Sequence, residues 1–205
     1  MRIRTLLASV GASSLAVVFG AGLAAAADLP NYEPPPAAAY SPAPAWSWTG
    51  PYAGLVGGYA WGGSSTVATN GWVGGGFVGY NLQTNTNLVV GLEGDLMASG
   101  KTGTVGPVTV NNPWNGTFRG RVGFAWDRFM LYGTAGVAVG GLNASTTPAQ
   151  SATKVGWTAG VGLEAALTDN VTGRVEYRHT DLGAFPAGAS NYTSNDVLVG
   201  VAFKF

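Results

Sequence analysis

The chain has 205 residues, of which only 10% are charged, with ten basic and ten acidic side chains, 33 glycines and no cysteine. A soluble domain carries about 25% charged residues, so this composition argues against an ordinary soluble protein. The missing cysteines exclude a disulfide framework and a cysteine-linked lipid anchor, and the balanced charge offers no basic surface for nucleic acid.

The first 26 residues have the features of a secretory signal peptide. Arg2 and Arg4 precede an apolar, uncharged stretch over 6–21, and Ala24, Ala25 and Ala26 supply the small residues that a signal peptidase needs. An uncleaved membrane anchor is the alternative, but glycine and serine interrupt the stretch. We therefore predict an exported protein that is cut after Ala26 or one residue later.

A proline-rich segment follows over 27–47 and holds six of the eleven prolines. Proline cannot donate to a strand ladder and favours extended, solvated backbone. The segment is therefore predicted to be a semi-rigid periplasmic spacer, with contact to the cell wall or to another protein as the alternative.

From Trp48 to the end, apolar residues recur with a period of two, and no stretch approaches the ~20 apolar residues of a membrane-spanning helix. The pattern predicts eight strands, at 50–61, 72–82, 88–98, 114–125, 129–141, 154–167, 171–180 and 194–205. Long polar connections alternate with tight turns. This layout predicts an all-β fold, an eight-stranded antiparallel up-and-down transmembrane β-barrel over 48–205 with both ends in the periplasm.

The sides of the predicted strands differ in charge. A membrane barrel keeps charges off the side that faces lipid, and five strands carry all their charges at alternate positions. These charges are Glu93 and Asp95; Arg119 and Arg121; Lys154 and Glu164; Arg174, Glu176 and Arg178; and Asp196 and Lys204. The opposite side is almost entirely apolar or glycine. A soluble lipocalin-like barrel would reverse the two sides, but these charges are too sparse for a soluble exterior.

Aromatic residues cluster toward both predicted ends of the strands, as expected of rings that prefer the two membrane interfaces. The outer group is Tyr59, Trp61, Trp72, Trp114, Trp157 and Tyr177, and the periplasmic group is Tyr80, Phe124, Trp126, Phe129, Phe203 and Phe205.

The charged side supplies the only candidate functional site, because a buried charge needs a partner. Its members are four acids, Glu93, Asp95, Glu164 and Glu176, and four arginines, Arg119, Arg121, Arg174 and Arg178. Strands three and four are predicted to pair Glu93 and Asp95 with Arg119 and Arg121. Eight strands leave room only for side chains, so we favour a packed ion-pair core over a gated ion path.

No motif in the chain indicates catalysis, a metal or a cofactor. Residues 74–79 match G-x-G-x-x-G, but a turn rather than a helix follows, so the glycines are attributed to crowded strands. His179 is the single histidine, which makes a zinc site improbable. Asp181 lies near it, but no nucleophile is singled out for a Ser-His-Asp arrangement.

Several runs of the barrel region form recognisable motifs. They are residues 48–54, 71–76 with 79–81, 91–95, 119–125, 156–164 and 167–178, together with Ala27-Asp28-Leu29-Pro30 after the signal. They resemble the small outer-membrane immunogenic-protein barrels, a porin-like family of the OmpA-type superfamily. The resemblance covers nearly all of 48–205. It implies structural and surface roles without catalytic residues, and a C-terminal signal at Phe203 and Phe205 for the barrel-assembly machinery.

These observations predict a structural, surface-exposed protein of the Gram-negative cell outer membrane that contributes to envelope integrity, is not an enzyme and needs no cofactor. The alternative function is a small porin-like channel for ions or small solutes. Outer-membrane lipid and lipopolysaccharide are the expected partners, with the assembly machinery during insertion.

Overall fold

Eight antiparallel strands close into one barrel in the computed structural model, which describes residues 46–65, 67–145, 149–184 and 190–205. The strands are β1 (Gly50–Gly63), β2 (Ala68–Gln83), β3 (Leu88–Val105), β4 (Val108–Trp126), β5 (Phe129–Ala144), β6 (Gln150–Ala166), β7 (Val171–Ala184) and β8 (Asn191–Lys204). Each strand pairs with its neighbours in the chain, and β1 also pairs with β8. The predicted fold class is therefore confirmed. The predicted signal peptide and nearly all of the spacer lie outside the described residues.

The outer ends of the strands extend well beyond their predicted limits. β3 reaches Val105 instead of residue 98, and a two-residue turn at Gly106 and Pro107 leads directly into β4. Thr102 pairs with Asn70 on one side and Asn111 on the other. Pairing with neighbouring strands thus overrides the low strand propensity of glycine, threonine and asparagine, and the prediction of a long polar loop here was wrong.

The turns at the other end are tight, as predicted. We call this end periplasmic, because the sequence predicts that it faces the periplasm. Two residues, Asp127 and Arg128, join β4 to β5, and Asp127 adopts a left-handed backbone with φ of 55°. Phe205 also lies at this end, where its N–H donates to the carbonyl of Pro51 in β1 at 3.1 Å. The first and last strands therefore meet at the periplasmic end.

The two sides of the wall alternate in exposure with a period of two. In β8, Ser194, Asp196 and Leu198 are buried, whereas Val197 and Val199 are 41% and 58% exposed. All twelve aromatic residues assigned to the two interfaces are exposed on the outside of the barrel. In the described residues no helix is long and apolar enough to cross a membrane.

Glycines inside the barrel make room for aromatic rings from a neighbouring strand. A Cβ at Gly79 in β2 would collide with the ring and hydroxyl of Tyr52, and one at Gly162 in β6 would lie 2.6 Å from Cζ and the hydroxyl of Tyr132. The run Gly74–Gly79 lies entirely within β2 and precedes no helix. Its last glycine is thus explained by the approach of a tyrosine.

Candidate functional site: the charged lumen

The lumen contains every buried charge of the described residues, and these charges balance. The five acids are Glu93, Asp95, Glu164, Glu176 and Asp196, and the five bases are Lys101, Arg119, Arg121, Arg174 and Arg178. Each of the ten is at most 8% exposed. The eight predicted site residues all belong to this set, so the structure brings them together inside the barrel.

Arg119 in β4 joins three carboxylates from two sides of the lumen. Its guanidinium lies 2.6 Å from Glu93, 3.0 Å from Asp95 and 2.6 Å from Glu176. It also donates to the hydroxyl of Thr134 at 3.1 Å. Because β3 pairs Glu93 directly with Arg119, the contact with Glu93 follows from strand register. The contact with Glu176 of β7 spans the lumen.

Glu93 is the corresponding centre among the acids. Arg174 of β7 donates to it at 2.5 Å, in addition to Arg119, and the hydroxyl of Tyr52 donates at 2.9 Å. The guanidinium of Arg174 also stacks 3.6 Å above the ring of Phe77. Charge-assisted hydrogen bonds of this kind are about twice as strong as neutral ones, so Glu93 ties β1, β3, β4 and β7 together.

Arg121 has a closer partner than the ones predicted. Its shortest ion pair is with Glu164 of β6, whereas its predicted ion pair with Glu93 is present but long, at 3.8 Å. Strand register explains the difference, because the residue opposite Arg121 in β3 is Gly91, which has no side chain. The arginine therefore reaches past β5 toward β6 and stacks 3.8 Å above the ring of Tyr132 in β5.

A second group connects Glu176 and Asp95. Arg178 lies 3.0 Å from Glu176 and 3.2 Å from Asp95, and the hydroxyl of Tyr132 donates to Glu176 at 2.9 Å. All eight predicted side chains are thus joined through shared partners. In a medium of low dielectric constant such a network is rigid when its groups are bonded, and removing one member leaves a costly unpaired charge.

Two charged members were missed as site residues in the sequence. Lys101 donates to the hydroxyl of Ser194 at 3.0 Å, and Ser194 donates to Asp196 at 2.6 Å. Asp196 had the correct parity for the lumen, but Lys101 lies beyond the predicted end of β3 and was assigned to a loop. Tyr52 was also missed, because β1 carries no charge that would mark its inner side.

Apolar side chains fill the lumen on both sides of the charges. The outer cluster consists of Val67, Val110, Ala138, Leu142, Ala144, Leu182 and Tyr192. The mouth cluster, at the periplasmic end, consists of Trp48, Val89, Ala125, Met130 and Tyr132. The side chains therefore occupy the lumen at three successive levels.

His179 lies on the outer wall, away from the lumen charges. Its Nδ1 is 2.9 Å from the side-chain oxygen of Asn195, and its ring lies 5.3 Å from that of Trp157. Asp181 instead accepts from the backbone N–H of Gly183 and the amide of Asn191. The described residues thus contain no His179–Asp181 hydrogen bond. Among them, no group of three or more histidine, cysteine, aspartate or glutamate residues could hold a metal ion.

The C-terminal aromatic pair lies outside the barrel. Phe203 and Phe205 are 48% and 70% exposed, and their rings contact each other edge to face with centroids 5.2 Å apart. They continue the apolar stripe of β8 to its periplasmic end.

The chain is similar in sequence and in fold to known outer-membrane proteins. Residues 13–205 match the outer membrane protein beta-barrel domain family. The 25 kDa outer-membrane immunogenic protein of Brucella abortus is 37% identical over 214 residues, which cover 98% of this chain and 100% of the relative. The 22 kDa outer membrane protein of Rhizobium leguminosarum bv. viciae is 42% identical, covering 79% and 80%. The crystal structure of Neisserial surface protein A shares the fold, with a TM-score of 0.59, 19% identity and coverage of 77% and 98%.

Proposed function

Because the chain belongs to the outer membrane protein β-barrel domain family, we propose that it is a structural and surface component of the Gram-negative outer membrane that contributes to envelope integrity and does not conduct solutes. The family supports a surface or structural role in that membrane. The filled lumen supports the more specific proposal.

The observation that carries the proposal is the continuity of side chains through the lumen. Between the mouth cluster and the outer cluster, five acids and five bases are packed without net charge. An ion entering this space would have to displace a bonded partner in a low-dielectric interior, which is costly. Ion-pair packing therefore favours a closed barrel over the alternative, a small porin-like channel.

The network also argues against a catalytic role. Glu93 and Glu176 each receive hydrogen bonds from two arginines and a tyrosine. A catalytic acid or base must reach a substrate, and these carboxylates are enclosed by their own partners.

The first prediction is that the purified, refolded chain gives no steady current in a planar lipid bilayer. Arg121→Ala removes the partner of Glu164 and is expected to produce brief openings. Val122→Ala, on the lipid-facing side of the same strand, serves as the control and should resemble the wild type. A large, steady wild-type current would favour the channel.

A separate measurement in cells tests the proposed contribution to envelope integrity. Cells that lack the chain are expected to admit more of a hydrophobic dye that an intact outer membrane excludes. The wild-type gene and Val122→Ala should both restore exclusion. Unchanged dye entry in the deletion strain would contradict a contribution to envelope integrity, whatever the bilayer result.

We also propose that the barrel-assembly machinery recognises the C-terminal end, through Phe203 and Phe205. Deleting Phe205 should reduce the folded fraction in cells far more than in detergent micelles, because the ring is 70% exposed and contacts the ring of Phe203 at the end of the stripe. Gel mobility before and after boiling measures the folded fraction in both settings. Equal losses would mean that the residue acts through packing alone.

The proposed position in the outer membrane also indicates which other molecules the chain contacts. The outward side of the wall and its aromatic residues suit contact with membrane lipid and, at the outer interface, lipopolysaccharide. We propose that the segment 27–47 lies on the periplasmic side, as its sequence predicts, and that cell-wall material is its contact there.

A further inference from the structure

Trp48 closes the periplasmic mouth of the lumen, although it precedes the first strand. Its side chain is 2% exposed. It packs against Val89 of β3, Ala125 of β4, and Met130 and Tyr132 of β5. The wall residues of this cluster all belong to paired strands, so they form a preorganised apolar floor beneath the indole.

Hydrogen bonds fix the orientation of this tryptophan. The indole N–H donates to the carbonyl of Asp127 at 3.3 Å, and the backbone N–H donates to the side chain of Gln83 at 2.8 Å. The N–H of Gln83 in turn donates to the hydroxyl of Thr49 at 2.9 Å. The mouth thus recognises both the flat apolar ring of a tryptophan and its single donor.

Trp46 covers this arrangement from the outside. Its ring contacts that of Trp48 edge to face, with centroids 5.8 Å apart. The cations of Lys204 and Arg128 lie 5.3 Å and 5.7 Å from the centre of the Trp46 ring. Cation–π contacts of this length hold an aromatic ring without desolvating the charges fully, so they add attraction at the rim of the mouth.

We infer that the periplasmic mouth is a binding site for a tryptophan-type side chain, which the chain's own Trp48 occupies as a reversible plug. Residues 46–49 belong to no strand, so Trp48 can leave the mouth without breaking a rung of the barrel. Tyr132 lies directly beneath and donates to Glu176. Withdrawal of the plug would therefore bring periplasmic water to the edge of the ion-pair network. The inference holds whether or not the barrel conducts.

Cysteine labelling tests this inference cleanly, because the chain has no cysteine of its own. Val89→Cys places a thiol under the plug, where the residue is 0% exposed. In vesicles open to the reagent, we expect slow but complete labelling by a small maleimide, at a rate that stops rising at high reagent concentration because plug opening becomes limiting. Adding Trp48→Ala should accelerate labelling at least tenfold, and free indole should slow it again by filling the vacated site.

Two further variants make the result specific. Trp126→Ala removes an exposed tryptophan from the outer wall of the same end and should leave the labelling rate unchanged. Trp48→Phe keeps most of the packing and loses the bond to Asp127; in the Val89→Cys chain its labelling rate should fall between those measured with Trp48 and with Trp48→Ala. Gel mobility before boiling identifies the variants that fold, and Trp48→Phe carries the test if Trp48→Ala does not.

Three outcomes would overturn the inference. Equal labelling with and without Trp48 would show that the ring does not cover the mouth. Failure of indole to protect the thiol would show that the vacated space is not a binding site. A Val89→Cys thiol that resists labelling throughout when Trp48 is present, but reacts when Trp48→Ala is added, would show a fixed plug instead of a reversible one.

Discussion

Replacing Arg119 with alanine is expected to lower the free energy of unfolding by about 3–5 kcal/mol, the usual effect of removing one partner from a buried ion pair. Arg119 is fully buried and contacts Glu93, Asp95 and Glu176. Asp95 and Glu176 retain Arg178, and Glu93 retains Arg174, but each loses a short charge-assisted bond. Urea unfolding in lipid vesicles, followed by tryptophan fluorescence, measures the change.

The control for this prediction lies three residues away on the lipid-facing side. Val122 is 56% exposed to the membrane side, so lipid can fill the space left by Val122→Ala and the loss should be only about 1 kcal/mol. A double variant, Arg119→Ala with Glu176→Ala, should lose less than the sum of the two single changes, because both remove the same bond. Equal losses for Arg119→Ala and Val122→Ala would contradict the proposed role of the lumen charges.

Gly162→Val is the second change with a large expected effect. The added Cβ would lie 2.6 Å from Tyr132 and 2.7 Å from the carbonyl of Val175, so the tyrosine would have to move away from Glu176. Overpacking costs about 1–3 kcal/mol, and a lost hydrogen bond to a charged group costs about 1.5–3 kcal/mol. We therefore expect a total loss of about 2.5–6 kcal/mol in the same unfolding assay.

Gly120→Val provides the matched comparison. Gly120 faces lipid in β4, and a Cβ there would have the carbonyl of Ala135 as its nearest neighbour, at 3.8 Å. Glycine weakens a strand interior and valine favours it, so this variant should be close to the wild type or slightly more stable. A similar loss at both positions would mean that the glycines serve backbone flexibility instead of space for a ring.

The sequence predicted the barrel and its sidedness because charges mark the inner side directly. Glu93 and Asp95 in β3, and Arg119 and Arg121 in β4, fall at alternate positions, and an exclusion of charge from lipid leaves only one way to orient each strand. Where a strand has no charge, as in β1, the same reasoning cannot predict which of its residues face the lumen. Tyr52 was missed for that reason.

The partners inside the lumen could be predicted only in part. Neighbouring strands give the pair Glu93 and Arg119 through register. The pair Arg121 and Glu164 depends on side-chain length and barrel diameter, which no periodic pattern contains. Trp48 is a similar case, because nothing in its local sequence shows that a residue before β1 turns into the mouth.

The outer strand ends were underestimated for a physical reason. Residues 99–105 are rich in glycine and threonine, and by themselves favour a loop. In the folded chain they gain hydrogen bonds from strands on both sides, and these depend on residues distant in the sequence. Lys101 lies in this segment, so it was left out of the predicted site together with the outer end of β3.

The outer hairpin of β3 and β4 constrains how this protein can change in length during evolution. Each pair of facing residues in β3 and β4 forms one rung of the strand ladder. Along a strand, successive side chains point alternately into the lumen and toward the membrane. A single-residue insertion below the turn at Gly106 would reverse the side of every residue between it and the next bulge, sending Lys101 outward. The hairpin can therefore keep both its strand pairing and the sides of its residues only when each strand lengthens by two residues, or when residues are added at its two-residue tip.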